Sequence, residues 1–329
     1  MNAVIGNTGP SPLKTIRIIF FGSSTFSLPI LSALLSSTYS VVQVVTTPDR
    51  RKGRGQKVLP SVVKIFAQEK GLPLVDPEKL SEPKIAETTR KLEPDFIVIG
   101  SYGKIVPHAI FKSPQVAALN VHPSLLPKYR GASPIQQAII EGDSVTGVSI
   151  AEVTDQLDAG DLFGHVSTKI DEHENALELS SRLAQLAGTL LLGVLEKFLS
   201  KTVGRTPQDG SEATYAKKLD KGFGNIHWTK SVLEIHNQIR ACVPWPSAFT
   251  SLYGKRVKII KSDFLKEDAR AEHKAGAIVD IVPNSGIHVQ TGSGILILKQ
   301  MQLEGRREMD GYQFALGQRL SKGDRFGGS

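Results

Sequence analysis

The run Asn120-Val121-His122-Pro123-Ser124-Leu125-Leu126-Pro127 is the densest polar cluster in the sequence. It continues the apolar stretch 118–121, which reads as a buried strand. Side chains alternate across a strand, so Asn120 and His122 share one face at its end. A carboxamide and an imidazole side by side can donate two hydrogen bonds to one oxygen, the arrangement a developing oxyanion requires. The plain alternative is a histidine that only bonds a loop. A second cluster, Asp155-Gln156-Leu157-Asp158-Ala159-Gly160-Asp161, spaces three aspartates by three. No Gly-x5-Glu follows to complete an EF-hand loop. That leaves a metal site of another kind, solvated turn acids, or a carboxylate that orients or charges His122. The third cluster lies in Pro48-Asp49-Arg50-Arg51-Lys52-Gly53-Arg54-Gly55-Gln56-Lys57. Its basic residues are Arg50, Arg51, Lys52, Arg54 and Lys57, alternating with glycines. Guanidinium forks and exposed glycine amides both suit phosphate oxygens, and a solvated basic loop is the bland reading.

Several chemistries are disfavoured by pattern. The turn Gly22-Ser23-Ser24-Thr25-Phe26 lacks the second and third glycines of G-x-G-x-x-G, and no G-x-x-x-x-G-K-[ST] occurs. Ser124 lies outside any G-x-S-x-G elbow. The other histidines (108, 165, 173, 227, 236, 273 and 288) show no metal-ligand spacing and read as surface or packing residues. The single cysteine, Cys242, excludes an internal disulfide and reads as a packing thiol.

These residues need elements to hold them. Apolar runs at 16–21, 41–46, 96–100 and 118–121 alternate with helical patterns such as 26–35. That alternation predicts βαβ units and a mostly parallel sheet, with ligands beyond the carboxyl ends of its strands. Leucines at 177, 179, 183, 186, 190, 191, 192, 195 and 199 predict a long amphipathic helix over 175–199. After the polar stretch 202–214, a helix is expected over 232–242. Short strands are expected at 248–252, 257–260, 277–282, 287–290 and 295–299, as in a small open barrel. The fold class is therefore α/β: a Rossmann-like, mostly parallel domain over 15–202 and a linker over 203–218. An OB-like domain follows over 219–320, with tails at 1–14 and 321–329.

Composition fits a two-domain globular chain of 329 residues, 40% hydrophobic and 22% charged. No apolar run approaches the roughly 20 residues needed to span a bilayer, so no membrane association is expected. Residues 1–14 lack an apolar signal core, and a cytosolic location is the expectation. Of the net charge of +8, +6 falls beyond residue 202. A basic domain joined to a near-neutral one points to an anionic partner, with nucleic acid foremost.

Together these clusters resemble the folate-dependent formyltransferases, most closely the methionyl-tRNA formyltransferase branch. The matching stretches are 17–22 (RIIFFG), 47–57 (TPDRRKGRGQK), 120–136 (NVHPSLLPKYRGASPIQ), 147–150, 157–161 (LDAGD), 214–219 (TYAKKL) and 244–246 (PWP). The resemblance covers about 15–320. It implies formyl transfer from 10-formyltetrahydrofolate to the amine of initiator methionyl-tRNA, for translation initiation, by a monomeric, metal-free enzyme of bacterial-type cytoplasm. By position, Asn120, His122 and Asp158 match the catalytic trio, and Ser124, Leu125, Leu126 and Pro127 match the folate-binding turn. The loop carrying Arg50, Arg51, Lys52, Arg54 and Lys57 matches one that enters the acceptor arm, Arg54 falling on its key arginine. The C-terminal domain would hold tRNA. Pro123 stands where some members carry glycine, so no backbone N–H is available there. Three rivals remain: a formyltransferase acting on a small amine, a deformylase using water, and a nucleic-acid-binding protein with an inactive enzyme domain.

Overall fold

The computed structural model describes residues 15–52, 55, 57–266 and 273–327. The tail expected over 1–14 lies outside them. The first sheet contains β1 (Arg17–Phe21), β2 (Ser40–Val45), β5 (Leu74–Val75), β6 (Phe96–Ile99), β7 (Ala117–His122), β9 (Val145–Glu152) and β10 (Leu162–Lys169). Two short strands, β3 (Arg50–Lys52) and β4 (Lys57–Leu59), form a separate antiparallel hairpin. The sheet order is β10-β9-β7-β6-β1-β2-β5. Strands β5 through β7 are all parallel, whereas β9 and β10 run antiparallel at one edge. Between β1 and β6 the chain reverses its direction of travel across the sheet, which makes a crevice at the carboxyl ends.

The parallel strands are covered on both faces, which is why they read as unbroken apolar runs. Ile18, Phe20, Val98, Leu119 and Val121 face one core, shared with α1 (Ser27–Leu35) and the long α6 (Ala176–Leu199). Ile19, Phe21, Ile97, Ala118 and Tyr102 face the other. On that second face lie α3 (Pro83–Lys91) and α4 (His108–Phe111), while α2 (Val62–Glu69) borders the first. Asn175 caps α6 through a reciprocal capping box with Glu178, a motif that typically contributes about 1 kcal/mol. Leu179, Leu183, Leu191 and Leu195 are buried as the spacing predicts, but Leu177 and Leu199 are exposed at the two ends.

Two features differ from the expected organisation. The 203–218 stretch is not a free tether. Thr206 exchanges backbone hydrogen bonds with Leu162, and β11 (Tyr215–Ala216) pairs in parallel with β8 (Arg130–Gly131). Nor is 321–327 a tail: Phe326 is buried and stacks on Trp228, and Arg325 bridges to Ala277. Apolar burial of Phe326 holds this segment against the second domain.

The second sheet is antiparallel throughout, in the order β12 (Ala248–Leu252), β13 (Lys255–Leu265), β16 (Ile295–Leu303), β15 (Gly286–Gln290), β14 (Ile278–Val282), with β17 (Glu308–Asp310) also on β16. Its core joins Ile259, Val289, Leu296 and Leu298 to α7 (Val232–Ala241) and α8 (Gly311–Gln318). The two bodies meet where α5 (Pro134–Ile140) packs on α7. There Arg240 donates to the carbonyls of Asp171 and Glu174, and His236 donates from Nε2 to the carbonyl of Glu172.

Candidate active site

Asn120 and His122 lie at the carboxyl end of β7, paired across to Ala151 and Ser149 of β9. Period-two alternation puts both on one face, and the loop after β9 brings Asp158 over them. Asn120 Nδ2 donates to Asp158 Oδ1 at 2.8 Å. The backbone N–H of Gly131 donates to Asp158 Oδ2, also at 2.8 Å. His122 Nδ1 stands 3.8 Å from Asp158 Oδ2, too far for a direct hydrogen bond. His122 Nε2 is 2.9 Å from the carbonyl oxygen of Tyr129. A carbonyl carries no proton, so Nε2 bears the hydrogen of that bond. Nδ1 is thus the nitrogen left facing Asp158 and any oxygen placed beside it. Both side chains are nearly enclosed, His122 at 6% and Asp158 at 9% exposure.

The backbone explains why these residues hold station. Asp158 has φ of 51°, in the left-handed region that costs a non-glycine residue about 1–2 kcal/mol. Such a conformation persists where surrounding contacts over-determine it. The adjacent glycine is steric: a Cβ on Gly160 would collide with the carbonyl oxygen of Glu152. Gly131 has φ of 117°, and a Cβ there would come within 2.7 Å of the Ala216 carbonyl oxygen. A side chain at 131 would therefore push β11 away and carry off the amide that grips Asp158.

The turn after His122 is ordered from within. Ser124 is fully buried; its hydroxyl donates to Lys128 O, and its carbonyl accepts from Ser149 Oγ. Leu126 N–H donates back to Ser149 Oγ, and Leu126–Pro127 is cis. What Ser124 contributes is the shape of the turn, with Leu125 and Pro127 half-buried beside it. Tyr129 donates to Asp143 Oδ2, and burial, followed by that bond, raises its phenol well above the ordinary value.

The basic segment is a hairpin and not an open loop. It leaves the carboxyl end of β2, the same end of the parallel sheet as Asn120. Three strand spacings separate β2 from β7, about 14 Å. The base of the hairpin is pinned by Lys64, whose ammonium donates to Asp49 and Asp76 at 2.7 Å each. Those two bonds, Asp49 first, hold the lysine above its ordinary pKa. Arg50 pairs with Glu78 at 2.7 Å, with both side chains more than half exposed. Arg51 and Lys57 are exposed. Arg54 and the side chain of Lys52 lie outside the described residues.

Among the described residues, no group of three or more His, Cys, Asp or Glu side chains is placed to hold a metal ion. No helix among them is long and apolar enough to cross a membrane. Four participants were not read from sequence: the Tyr129 carbonyl, the Gly131 amide, Arg130 and Gln208. The first two are backbone groups, which no residue type announces. Arg130 and Gln208 bond each other, with Gln208 Oε1 accepting from Arg130 Nη2 at 2.8 Å.

Residues 16–195 match the formyl transferase family, and residues 218–319 match the formyl transferase C-terminal domain. A methionyl-tRNA formyltransferase of Sulfurihydrogenibium sp. (strain YO3AOP1) is 39% identical over 94% of this chain and 100% of its own. That of Dictyoglomus turgidum is 41% identical over 94% of this chain and 99% of its own. Among solved structures, the N-formyltransferase of Helicobacter canadensis, in complex with folinic acid and dTDP-3-aminofucose, superposes with a TM-score of 0.65. It is 18% identical, over 86% of this chain and 99% of its own, a likeness of fold alone. With both halves of the chain matched and full-length relatives at this identity, the protein is an enzyme of the formyl transferase family and belongs to its methionyl-tRNA formyltransferase branch.

Proposed function

We propose that this chain moves the formyl group of 10-formyltetrahydrofolate onto the α-amine of methionyl-initiator tRNA, with Asn120, His122 and Asp158 at the reacting atoms. The observation that carries this reading is the meeting of an amide, an imidazole and a carboxylate in one nearly water-free place. The neutral amine attacks the formyl carbon, and the carbonyl oxygen takes the negative charge. Asn120 Nδ2 has two hydrogens, one bonded to Asp158, and the second is free to serve that oxygen. His122 carrying a proton on each nitrogen donates from Nε2 to Tyr129 and presents Nδ1–H to the oxyanion. The carbon–nitrogen bond to folate then breaks, and the amine proton passes to the folate nitrogen. Asp158 is the base in the cluster that carries it, its two oxygens fixed by Asn120 and Gly131.

Ser124 to Pro127 form the turn against which the folate would lie. The hairpin leaves a strand about 14 Å across the sheet from β7, and it suits the nucleic acid and not the reacting carbon. It carries the phosphate-binding role expected of Arg50, Arg51, Lys52, Arg54 and Lys57. The second domain, with its net positive charge, supplies the remaining tRNA surface. A cytosolic location is compatible with this substrate, and one chain contains every group the mechanism uses. The reading is tested by supplying 10-formyltetrahydrofolate with charged initiator tRNA, a short methionyl amine or no acceptor. Formylated tRNA formed in preference to the short amine supports it. Formate released without acceptor points to a deformylase, and transfer to small amines alone points to a different acceptor.

A further inference from the structure

We infer that Gln208, in the segment between the two sheets, is a positioning residue that sets the catalytic carboxylate of Asp158; this rests on the function proposed above. Its amide nitrogen donates to the carbonyl oxygens of Asp158 at 2.9 Å and Gly160 at 2.6 Å. Its amide oxygen accepts from Arg130 Nε at 3.3 Å and Nη2 at 2.8 Å. Arg130 precedes Gly131, whose N–H holds the carboxylate of the same Asp158. One side chain therefore ties the Asp158–Gly160 backbone to the guanidinium of Arg130, the residue next to the amide that must stay in register for Asp158 to face His122.

The demand for a glutamine is chemical. Two carbonyls need donors and a guanidinium needs an acceptor, and a primary amide supplies both. A carboxylate at 208 would satisfy Arg130 yet set a negative oxygen against the Asp158 and Gly160 carbonyls. A leucine of similar size would satisfy none of them. The left-handed backbone of Asp158 makes the tie consequential, because that conformation has lower-energy alternatives to relax into. The neighbouring chain supports the same loop: Arg205 pairs with Glu152 at 3.2 Å and Asp161 at 3.6 Å, on its two flanks. Thr206 pairs with Leu162 beyond them. The segment 205–208 thus straps the catalytic loop from outside, with Gln208 reaching inward.

The test uses Gln208→Leu and Gln208→Glu in the full chain. Misplacing a catalytic group by about 1 Å can cost up to about a hundredfold in rate. Both variants are expected to lose about ten- to a hundredfold in kcat, with KM for folate and tRNA within about twofold and little change in Tm. If the glutamine served only to satisfy Arg130, Gln208→Glu would restore kcat while Gln208→Leu would not, and the inference would be overturned. Losses of Tm with kcat per folded molecule unchanged would overturn it equally. Hydrogen exchange reads the positioning without substrate: the Gly131 amide should exchange faster in both variants, and unchanged protection counts against the tie. A wild-type chain that moves no formyl group to methionyl-tRNA sinks the proposed function, while the exchange measurement still decides the role of Gln208.

Discussion

Asp158 and Arg51 are assigned to the same proposed reaction, yet their surroundings are opposite in plan. The Asp158 side chain is nearly enclosed, bonded on both oxygens, and carried on backbone that is itself tied down. Arg51 stands exposed on a two-stranded hairpin held by Lys64 at its base and by the exposed Arg50–Glu78 pair. The difference follows from what each must meet. In the proposed reaction Asp158 holds the Asn120 amide toward a developing oxyanion, which lasts for one transition state and is stabilised only by groups already in place. A phosphate backbone is large, charged and hydrated, and long-range attraction to mobile cations captures it without a fixed geometry. Rigidity belongs where charge appears, and adaptability where charge is already present.

Four substitutions sharpen or break that contrast, beginning with the largest effect. Asn120→Ala should lower kcat by about 10²–10³-fold, the usual loss for one oxyanion donor, with tRNA affinity nearly unchanged. Near-normal turnover in steady-state formylation would mean that the oxyanion lies elsewhere. Arg51→Ala should instead weaken tRNA binding several-fold and reduce the slope of log affinity against log salt by about one. Its kcat with a short methionyl amine should stay at the wild-type value. Equal losses with both acceptors would assign Arg51 to the folate or the fold, and the contrast would collapse.

His236 tests the joint between the two bodies. Burial depresses its pKa below the ordinary value, with Arg240 and His173 adding to that effect, while the Glu172 hydrogen bond and Asp263 oppose it. The folded protein therefore holds a neutral imidazole, which accepts from Ser262 and donates to Glu172. Above about pH 6.5 the ring is neutral whether folded or not, and its stabilising bonds are fully present. As pH falls below that value toward the folded pKa, the unfolded chain takes up a proton that the folded one refuses, and stability declines. His236→Gln should flatten the fall of Tm between pH 7 and pH 5. An unaltered slope would place the acid sensitivity elsewhere. Last, Glu78→Ala frees Arg50 on the hairpin and should leave Tm within scatter, because exposed ion pairs contribute little. A marked loss would show that the hairpin is more rigidly braced than its exposure indicates.

Strand period two made the Asn120 and His122 face readable, and continuous apolar runs made the parallel sheet readable. Asp158 was legible only through resemblance. Its approach depends on a left-handed residue and on an amide 27 residues away, and neither leaves a pattern in composition. The hairpin was read as a loop because its strands are three residues each, too short to show an alternation, and glycines lie between them. His236 was read as a surface or packing residue; it is buried, with Ser262 of its own domain on one nitrogen and, on the other, Glu172 of the first domain, 64 residues off, where no local periodicity reaches. Cys242 behaved as read: it is fully buried, and burial pushes its thiol up to about 12. Gln208 sits in a polar stretch with glycine and proline whose composition says only that no helix or strand continues.

The pairing of β8 with β11 bears on how such an enzyme can be taken apart. The match to the formyl transferase domain ends at residue 195, but the amide that grips Asp158 is seated against Ala216, and Gln208 lies between. A fragment that keeps these contacts of Asp158 reaches at least through Ala216. In any exchange of acceptor-recognition domains between related enzymes, the seam belongs beyond that residue. A splice made at the end of the long helix would exchange, along with the second domain, the host segment that holds Asp158 in place.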